Sequence, residues 1–189
     1  ILWFKIIVAC IPTIVIALPF NDFIEEKFNN YVVVAIALIV YGVIFIIVEN
    51  YNKRRKPICT SLEDLSFATA FKIGIFQVLS VIPGTSRSGS TIVGSLMLGI
   101  SRTAAAEFTF FLAVPAMFGG SAIKILKYSG GFNSAEVALL AIGMIVAFVL
   151  SIIAIKFLMS YIKKHDFKVF GWYRIILGIA VIGYFLAAR

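Results

Sequence analysis

The feature that most constrains this sequence is a series of apolar runs long enough to cross a membrane. A helix needs about 20 mostly apolar residues to cross the roughly 30 Å hydrocarbon core of a bilayer. Four runs meet that need, and a fifth is weaker because Arg174 lies near its start, where an arginine can extend its charged end to the interface. The predicted spans cover residues 2–20, 31–48, 108–126, 135–159 and 173–188. The chain is therefore predicted to be an all-α, polytopic integral membrane protein with about five transmembrane helices.

Composition and charge exclude several other classes of protein. Of 189 residues, 61% are hydrophobic and 14% charged, whereas soluble domains have about 45–50% and about 25%. The net charge of +8 lies in short clusters between apolar runs and forms no broad polar face, so we interpret it as a topology signal and expect no nucleic-acid partner. Cys10 and Cys59 share no metal-type spacing and are predicted to be free thiols.

Residues 67–100 are too short for two crossings and predict a re-entrant hairpin. Apolar arms at 67–82 and 91–100 flank a polar segment at 83–90. At 1.5 Å per residue the arms reach about 24 Å and about 15 Å, less than the hydrocarbon thickness. We expect the hairpin to enter and leave at the same face with its tip near mid-membrane. Backbone at that depth needs protein or a watery cavity around it, so a buried site is predicted.

The basic clusters predict the orientation of a single membrane domain, 1–189. Residues 53–56 and 163–168 are rich in lysine and arginine and should be cytoplasmic, with the acidic loop at 22–26 outside. Lys124 and Lys127 at the outer end are a mild exception. The predicted layout has two spans and a cytoplasmic basic loop in 1–66, the hairpin in 67–100 and three spans in 101–189. A hairpin that crossed fully would give the same sidedness, so charge leaves both arrangements open.

Two pairs of spans are alike in layout and predict an inverted repeat. Each pair has a glycine beside an aromatic residue in its second member, at Gly42 and Gly183. The hairpin and the span after it have no counterpart before the first pair. Since the first residue is Ile1, the chain is expected to begin partway into a longer protein, with a second hairpin upstream.

The polar segment at 83–90 has the composition of an anion-binding loop. Its glycines allow close backbone approach, its hydroxyls can donate, and Arg87 supplies a forked, permanently charged donor. A helix beginning here would point its free N–H groups at a ligand, and phosphate or pyrophosphate suits that arrangement best. The alternative is an ordinary polar turn with a helix N-cap. Against it, an intramembrane arginine costs about 2.5 kcal/mol or more unless it is used or paired.

The other polar residues say less about function than the segment at 83–90 does. Gln77 has two readings that stay open, a hydrogen bond to ligand or loop and a contact between helices. Arg102 and Glu107 are expected to pair with each other or with the loop. His165 lies among lysines in a solvated loop, and no role is assigned to it. The loop contains no carboxylate or imidazole, so it offers half of a hydrolytic site and leaves the nucleophile and the general base unassigned.

Three motifs carry a resemblance to a known family. They read FQVLSVIPGTSRSGSTI at 76–92, GISRTAAAEF at 99–108 and LAVP at 112–115. The sequence resembles, over essentially its whole length, the undecaprenyl pyrophosphate phosphatase family of the bacitracin-resistance type. Ser90 stands where that family usually has alanine. The family's acidic motif, which normally lies upstream, is absent from this sequence, so the resemblance does not predict that this piece is active alone.

The resemblance implies a reaction and a set of residues. The reaction removes one phosphate from a C55 isoprenyl pyrophosphate, giving the monophosphate carrier lipid used in peptidoglycan synthesis, and it places the protein in the bacterial inner membrane. Ser86 and Arg87 would be the principal ligand or catalytic residues. The substrate-binding candidates are Gly84, Thr85, Ser88, Gly89, Thr91 and Gln77.

Cofactors and partners follow from the same resemblance. A divalent cation, Mg²⁺ or Ca²⁺, would offset the phosphate charge, with carboxylate ligands in the upstream segment; no residue of this sequence is assigned as a metal ligand. The expected partners are a polyprenyl pyrophosphate and membrane lipids, and the sequence leaves a homo-oligomer open. Two other functions also stay open. An anion or lipid transporter would move its cargo without releasing phosphate, and a non-catalytic subunit would tolerate Arg87→Ala.

Overall fold

The computed structural model describes residues 1–128, 130–131 and 133–187, with backbone alone for residues 17, 18, 21, 22 and 25. Within those residues the chain forms helices and no named strand, which confirms the all-α prediction. The α-helices are α1 (Leu2–Phe28), α2 (Tyr31–Asn52), α3 (Phe67–Val78), α4 (Arg87–Met97), α5 (Arg102–Lys127), α6 (Ser134–Lys164) and α7 (Lys168–Ala187). A 3₁₀ turn, Leu79–Val81, follows α3. Residue 188, the end of the fifth predicted span, lies outside the described residues.

The apolar helices confirm a polytopic membrane protein. Among the described residues, α2, α5, α6 and α7 are long and apolar enough to cross a bilayer, and α1 is apolar over Leu2–Ile16. The acidic segment at 22–26, predicted as a loop, is helical, because α1 continues to Phe28. The chain turns only at Asn30, whose side chain caps α2 by accepting from the Val33 N–H at 3.0 Å. The inverted repeat stays a prediction.

The hairpin begins and ends at one face, as re-entrance requires. Gly99, with a φ of +81°, ends the second arm. Its carbonyl accepts the Ile58 N–H at 2.8 Å, and the Ser101 N–H donates to the Cys59 carbonyl at 2.8 Å. The exit of the hairpin is thereby bound to the loop that follows α2 and leads into α3. Both ends of the hairpin therefore lie at one face, which a re-entrant and a fully crossing hairpin share, so re-entrance stays a prediction; Cys59 is a free thiol as expected.

The tip of the hairpin lies beside the start of α2, at the end opposite the basic loop, and its depth in the membrane stays a prediction. Gly84 lies against Val34 and Ala37, in the first two turns of α2 and far from its basic end. The 3₁₀ turn together with α3 gives the first arm a reach of about 24 Å, the length that the sequence predicted. Ile82 then continues in an extended conformation, with a ψ of 122°.

Small residues set the distances between packed helices. A Cβ at Gly42 would lie 2.6 Å from the Gly171 carbonyl oxygen, and a Cβ at Gly178 would lie 2.8 Å from the Ala35 oxygen. α2 and α7 therefore touch backbone to backbone along their shared face. Such close approach is the usual basis of helix association in lipid, where no hydrophobic effect drives helices together.

A buried ion pair joins three helices at the basic face. Glu49, in the last turn of α2, has a relative exposure of 0%. Arg102, the first residue of α5, donates to it from Nη2 at 2.6 Å and from Nε at 3.0 and 3.1 Å, and the Phe167 N–H donates at 3.1 Å. The prediction that Arg102 pairs with Glu107 or the tip loop is wrong, because the turn at Gly99 places the start of α5 beside the end of α2.

The two basic clusters lie on the same face, as their charge predicted. Lys53 Nζ and Asp166 Oδ2 are 3.1 Å apart and join the loop after α2 to the loop before α7. Partial burial of Asp166 acts to raise its pKa. The hydrogen bond from Lys53, the Lys168 N–H and the charges of both lysines outweigh that effect and lower the pKa below its usual value.

The glycine contacts of α7 can be tested with two substitutions in one helix. Gly178→Ala places a methyl group against the backbone of α2 and is expected to destabilise the protein by about 1–3 kcal/mol. Gly183→Ala is the matched control, because a Cβ at Gly183 meets nothing within 4 Å. It should be neutral, or stabilising by up to about 1 kcal/mol through helix propensity. Denaturant unfolding in micelles measures both, and equal effects would contradict the proposed packing.

Candidate functional site

The tip of the hairpin is a tight turn that needs its glycine. Pro83 and Gly84 occupy the central positions of a turn closed by the Thr85 N–H, which donates to the Ile82 carbonyl at 3.0 Å. Gly84 has a φ of +87°, which the third position of a type II turn requires. A Cβ at Gly84 would also lie 2.6 Å from the Val34 oxygen. Backbone conformation and close packing therefore both select glycine here.

The start of α4 presents free amides at the tip. Ser86 caps the helix, its Oγ accepting from the Gly89 N–H at 3.1 Å and lying 3.0 Å from Ser88 Oγ. Within the part of the chain that the structure describes, the N–H groups of Ser86, Arg87 and Ser88 have no acceptor. Free N–H groups at the positive end of a helix form an anion-binding arrangement.

Arg87 is exposed at the same point of the hairpin. Among the described residues, its guanidinium has no carboxylate and no hydrogen-bond partner, whereas Arg102 has both. A cation that is unpaired between two short apolar arms is costly in a membrane. Its charge is available to an anion from outside the described residues.

Two of the predicted ligand residues instead connect the hairpin to its neighbours. Thr91 has a relative exposure of 1%, and its Oγ1 lies 2.9 Å from Thr109 Oγ1 on α5. Gln77 is buried and donates from Nε2 to Thr13 Oγ1 on α1 at 2.9 Å. Both contacts fix the position of the arms, and a direct contact of either residue with substrate stays a prediction.

Gly89 and Thr85, also predicted at the site, are buried behind the tip. A Cβ at Gly89 would meet the Phe45 ring at 3.2 Å, so this glycine allows α4 to approach α2. Thr85 contributes the N–H that closes the turn. Gly89 has no side chain and Thr85 carries no charge, so these two residues contribute backbone geometry to the tip.

Arg174 holds the tip loop from α7. Its Nη2 donates to the Gly84 carbonyl at 2.6 Å, and its guanidinium lies 5.8 Å from the centroid of the Tyr41 ring. Tyr41 in turn accepts a hydrogen bond from Ser90 Oγ at 3.2 Å. The prediction that Arg174 extends to the interface is wrong, because the contact of Gly178 with α2 carries this part of α7 beside the tip. The sequence did contain a signal for this role, since an arginine within an apolar span indicates a functional site.

A cavity of about 240 Å³ opens beside the tip. Ser86 and Ser88 of the tip line it together with Thr109 and Arg174, and apolar side chains such as Ile92, Phe110 and Phe170 line the rest. Arg87 does not line it. The tip hydroxyls therefore line a largely apolar cavity that Arg174 also lines, whereas Arg87 lies outside it. This arrangement suits an amphiphile that carries a charged head.

The match to a known family covers most of the chain. Residues 1–180 match the family model described as Bacitracin resistance protein BacA. The chain belongs to this family. A relative named undecaprenyl-diphosphatase from Enterococcus faecalis is 60% identical over 181 residues, which are 96% of this chain and 66% of the relative.

Two further relatives are similar to the chain over nearly its whole length. The one from Desulfitobacterium hafniense is 59% identical over 187 residues, 98% of this chain and 67% of the relative. Undecaprenyl-diphosphatase 1 from Clostridium acetobutylicum is 56% identical over 186 residues, 98% of this chain and 68% of the relative. The chain thus spans about two thirds of the length of the curated BacA-family relatives that it matches.

The metal expected for a BacA-family member does not fit the residues at hand. Among the side chains that the structure describes, no three of His, Cys, Asp or Glu come together. The tip itself offers hydroxyls and a guanidinium, which are not the carboxylate oxygens that Mg²⁺ and Ca²⁺ prefer. His165 is exposed and stacks on Tyr161 at 4.4 Å between ring centroids, in the solvated loop where the sequence predicted it.

The role of Arg174 in this BacA-family hairpin predicts a local change in dynamics. Arg174→Leu removes a charged donor from the Gly84 carbonyl, a bond of about 1.5–3 kcal/mol. Amide hydrogen exchange in the peptide covering residues 82–90 should accelerate about 10- to 100-fold, since each 1.4 kcal/mol is a factor of ten. Arg55→Leu is the control, because Arg55 stacks on Tyr51 at 4.4 Å and, among the described residues, has no hydrogen bond to the peptide 82–90. Unchanged exchange in Arg174→Leu would contradict the positioning role.

Proposed function

We propose that this chain forms part of a membrane enzyme that hydrolyses undecaprenyl pyrophosphate to undecaprenyl phosphate and inorganic phosphate. The observation that carries the proposal is the exposed Arg87, unpaired among the described residues, beside three free N–H groups at the tip of the hairpin. The names of the relatives support the substrate. The family match supports the same activity, and the proposal extends it to this chain as a contributor of the tip.

The tip supplies electrostatic stabilisation. In the net reaction the anhydride P–O bond breaks, the lipid phosphate leaves with the electron pair, the terminal phosphorus gains an oxygen from water, and the proton that water loses passes to solvent or to the phosphate products. Negative charge is spread over the equatorial oxygens in the transition state, where preorganised donors contribute most. Arg87 and the amides of Ser86 and Ser88 would donate to those oxygens. The Ser86 hydroxyl, already held by Gly89, can orient one of them.

The apolar cavity beside the tip would hold the first part of the lipid tail. Ser86, Ser88 and Arg174 line this cavity, so a diphosphate at the tip would place the first isoprenyl units against its apolar side chains. Burial of such units is favourable at about 0.8 kcal/mol per CH₂ relative to water. We assign the lipid to the bacterial inner membrane, where the carrier lipid is used, and leave a homo-oligomer as an open proposal.

The general base and the metal ligands are not assigned to residues of the tip. The described tip has no carboxylate or imidazole that could act as a base, so we derive no proton transfer from it. Mg²⁺ or Ca²⁺ remains a proposal, with carboxylates that the described residues do not bring together, and no step depends on it here. Both functions would have to come from the part of the relatives' length that this chain does not span.

Arg87 should be essential for turnover. Removing one donor to a developing oxyanion costs about 10²–10³ in rate, so Arg87→Ala should lose at least that much. Arg87→Lys keeps the charge but loses the bidentate fork, and an intermediate loss of about tenfold or more is expected. The assay is phosphate release from a polyprenyl pyrophosphate by the purified full-length protein in detergent, with folding checked by size exclusion. Arg54→Ala, in the exposed basic loop, is the control, and near wild-type turnover by Arg87→Ala would exclude the proposal.

Ser86 has a structural and a chemical role that two substitutions can separate. Asparagine caps helices as well as serine does, whereas alanine costs about 1 kcal/mol at this position. Ser86→Asn keeps the cap and removes the hydroxyl, and Ser86→Ala removes both. We expect both variants to lose tenfold or more in phosphate release, with reduced stability in Ser86→Ala alone. Wild-type turnover by Ser86→Asn would limit Ser86 to a cap.

A further inference from the structure

A second, larger cavity lies at the basic face of the protein. Its volume is about 890 Å³, and it is bounded by the end of α2 with the loop after it, the α4–α5 turn and the α6–α7 turn. Six cationic side chains line it against one carboxylate, Asp166. The cations are Lys53, Arg55, Lys56, Arg102, Lys163 and Lys164. Its lining therefore carries a strong excess of positive charge.

Four of those cations are not neutralised. Lys53 is paired with Asp166, and Arg102 is paired with Glu49 behind the cavity wall. The others have no carboxylate partner among the residues that the structure describes. Like charges brought this close repel one another, so the arrangement favours an anion between them.

The cavity is also apolar in part. Leu96, Ile100 and Ile162 are buried at its floor, and Ile58 at its edge has a relative exposure of 87%. Val169, on the first turn of α7, is also exposed and lines the cavity. A free anion would gain no favourable contact from these apolar side chains. A molecule with a phosphate group and hydrocarbon attached would contact both kinds of surface.

The position of the cavity matches the level of lipid headgroups. It lies where α2 and α6 end and where α5 and α7 begin, and exposed Trp172 lies one turn along α7, where interface aromatics are usual. Basic pockets between transmembrane helices at the cytoplasmic side are sites for anionic lipid headgroups. Between Val34, beside the tip, and Asn52, beside this cavity, α2 rises about 27 Å, so a headgroup in one site cannot reach the other.

We propose that this cavity binds the headgroup of an anionic phospholipid of the surrounding membrane. The phosphate lies among Arg55, Lys56, Lys163 and Lys164, and the acyl chains follow the exposed surfaces of α6 and α7. A volume of about 890 Å³ is within the range of about 300–1,000 Å³ that ligand pockets have. The site is independent of the reaction proposed at the hairpin tip.

The test compares two double variants of equal charge change. Lys163→Gln/Lys164→Gln removes two cations from the cavity. Lys124→Gln/Lys127→Gln removes two exposed cations from the last turn of α5, at the opposite face. Full-length protein, delipidated in a non-ionic detergent at fixed salt, is titrated with phosphatidylglycerol, phosphatidylcholine and inorganic phosphate. Native mass spectrometry reports the dissociation constants, so the result does not depend on phosphatase activity.

We expect wild-type protein to prefer phosphatidylglycerol over phosphatidylcholine. The cavity variant should bind phosphatidylglycerol about 10- to 30-fold more weakly, and the control variant should change less than twofold. Equal losses of phosphatidylglycerol affinity in both variants would show that net charge alone causes the effect, and would overturn the proposal. So would equal affinity for the two lipids. Inorganic phosphate binding with the same sensitivity to the cavity variant, and without a lipid preference, would replace the lipid by a free anion.

Discussion

The buried carboxylate of Glu49 is the contact on which the arrangement of the helices depends. A charge with no exposure to water is tolerated only when it is paired and hydrogen-bonded, and the Arg102 guanidinium and the Phe167 N–H meet that requirement. These donors come from the start of α5 and the residue before α7. The end of α2 is thus fixed to the beginnings of two other helices, and the exit of the hairpin, three residues before Arg102, is fixed with them.

The contact at Glu49 also supports the hairpin tip, because it sets the position of α7. With Phe167 held by Glu49, the glycines of α7 pack against the backbone of α2 and set the depth of the helix. That depth brings Arg174 to the Gly84 carbonyl. The tip is held on its other sides by Thr91 against α5 and Gln77 against α1. Its own cation and free amides are left unused by the fold, which is the property that a binding site needs.

The sequence predicted the features that local length and composition determine. Apolar runs give spans, arms too short to cross give a hairpin, and a polar loop between them gives the candidate site. The contacts between distant residues could not be predicted in the same way. Arg102 and Glu49 are 53 residues apart, and Arg174 and Gly84 are 90 residues apart. Their partners depend on where helices end in space, and the continuation of α1 to Phe28 shows that charged residues alone do not end a helix.

The length of α6 links this protein to the thickness of its bilayer. The helix has 31 residues, all described, and Ile162 alone is buried. It measures about 46 Å, whereas α2 and α7 measure about 30–33 Å and match the hydrocarbon core. α6 must therefore tilt or project beyond its neighbours, at a cost of a fraction of a kcal/mol for each ångström of mismatch. Its last turns form a wall of the basic cavity, so a change in acyl-chain length would alter the tilt of α6 and with it the shape of that cavity.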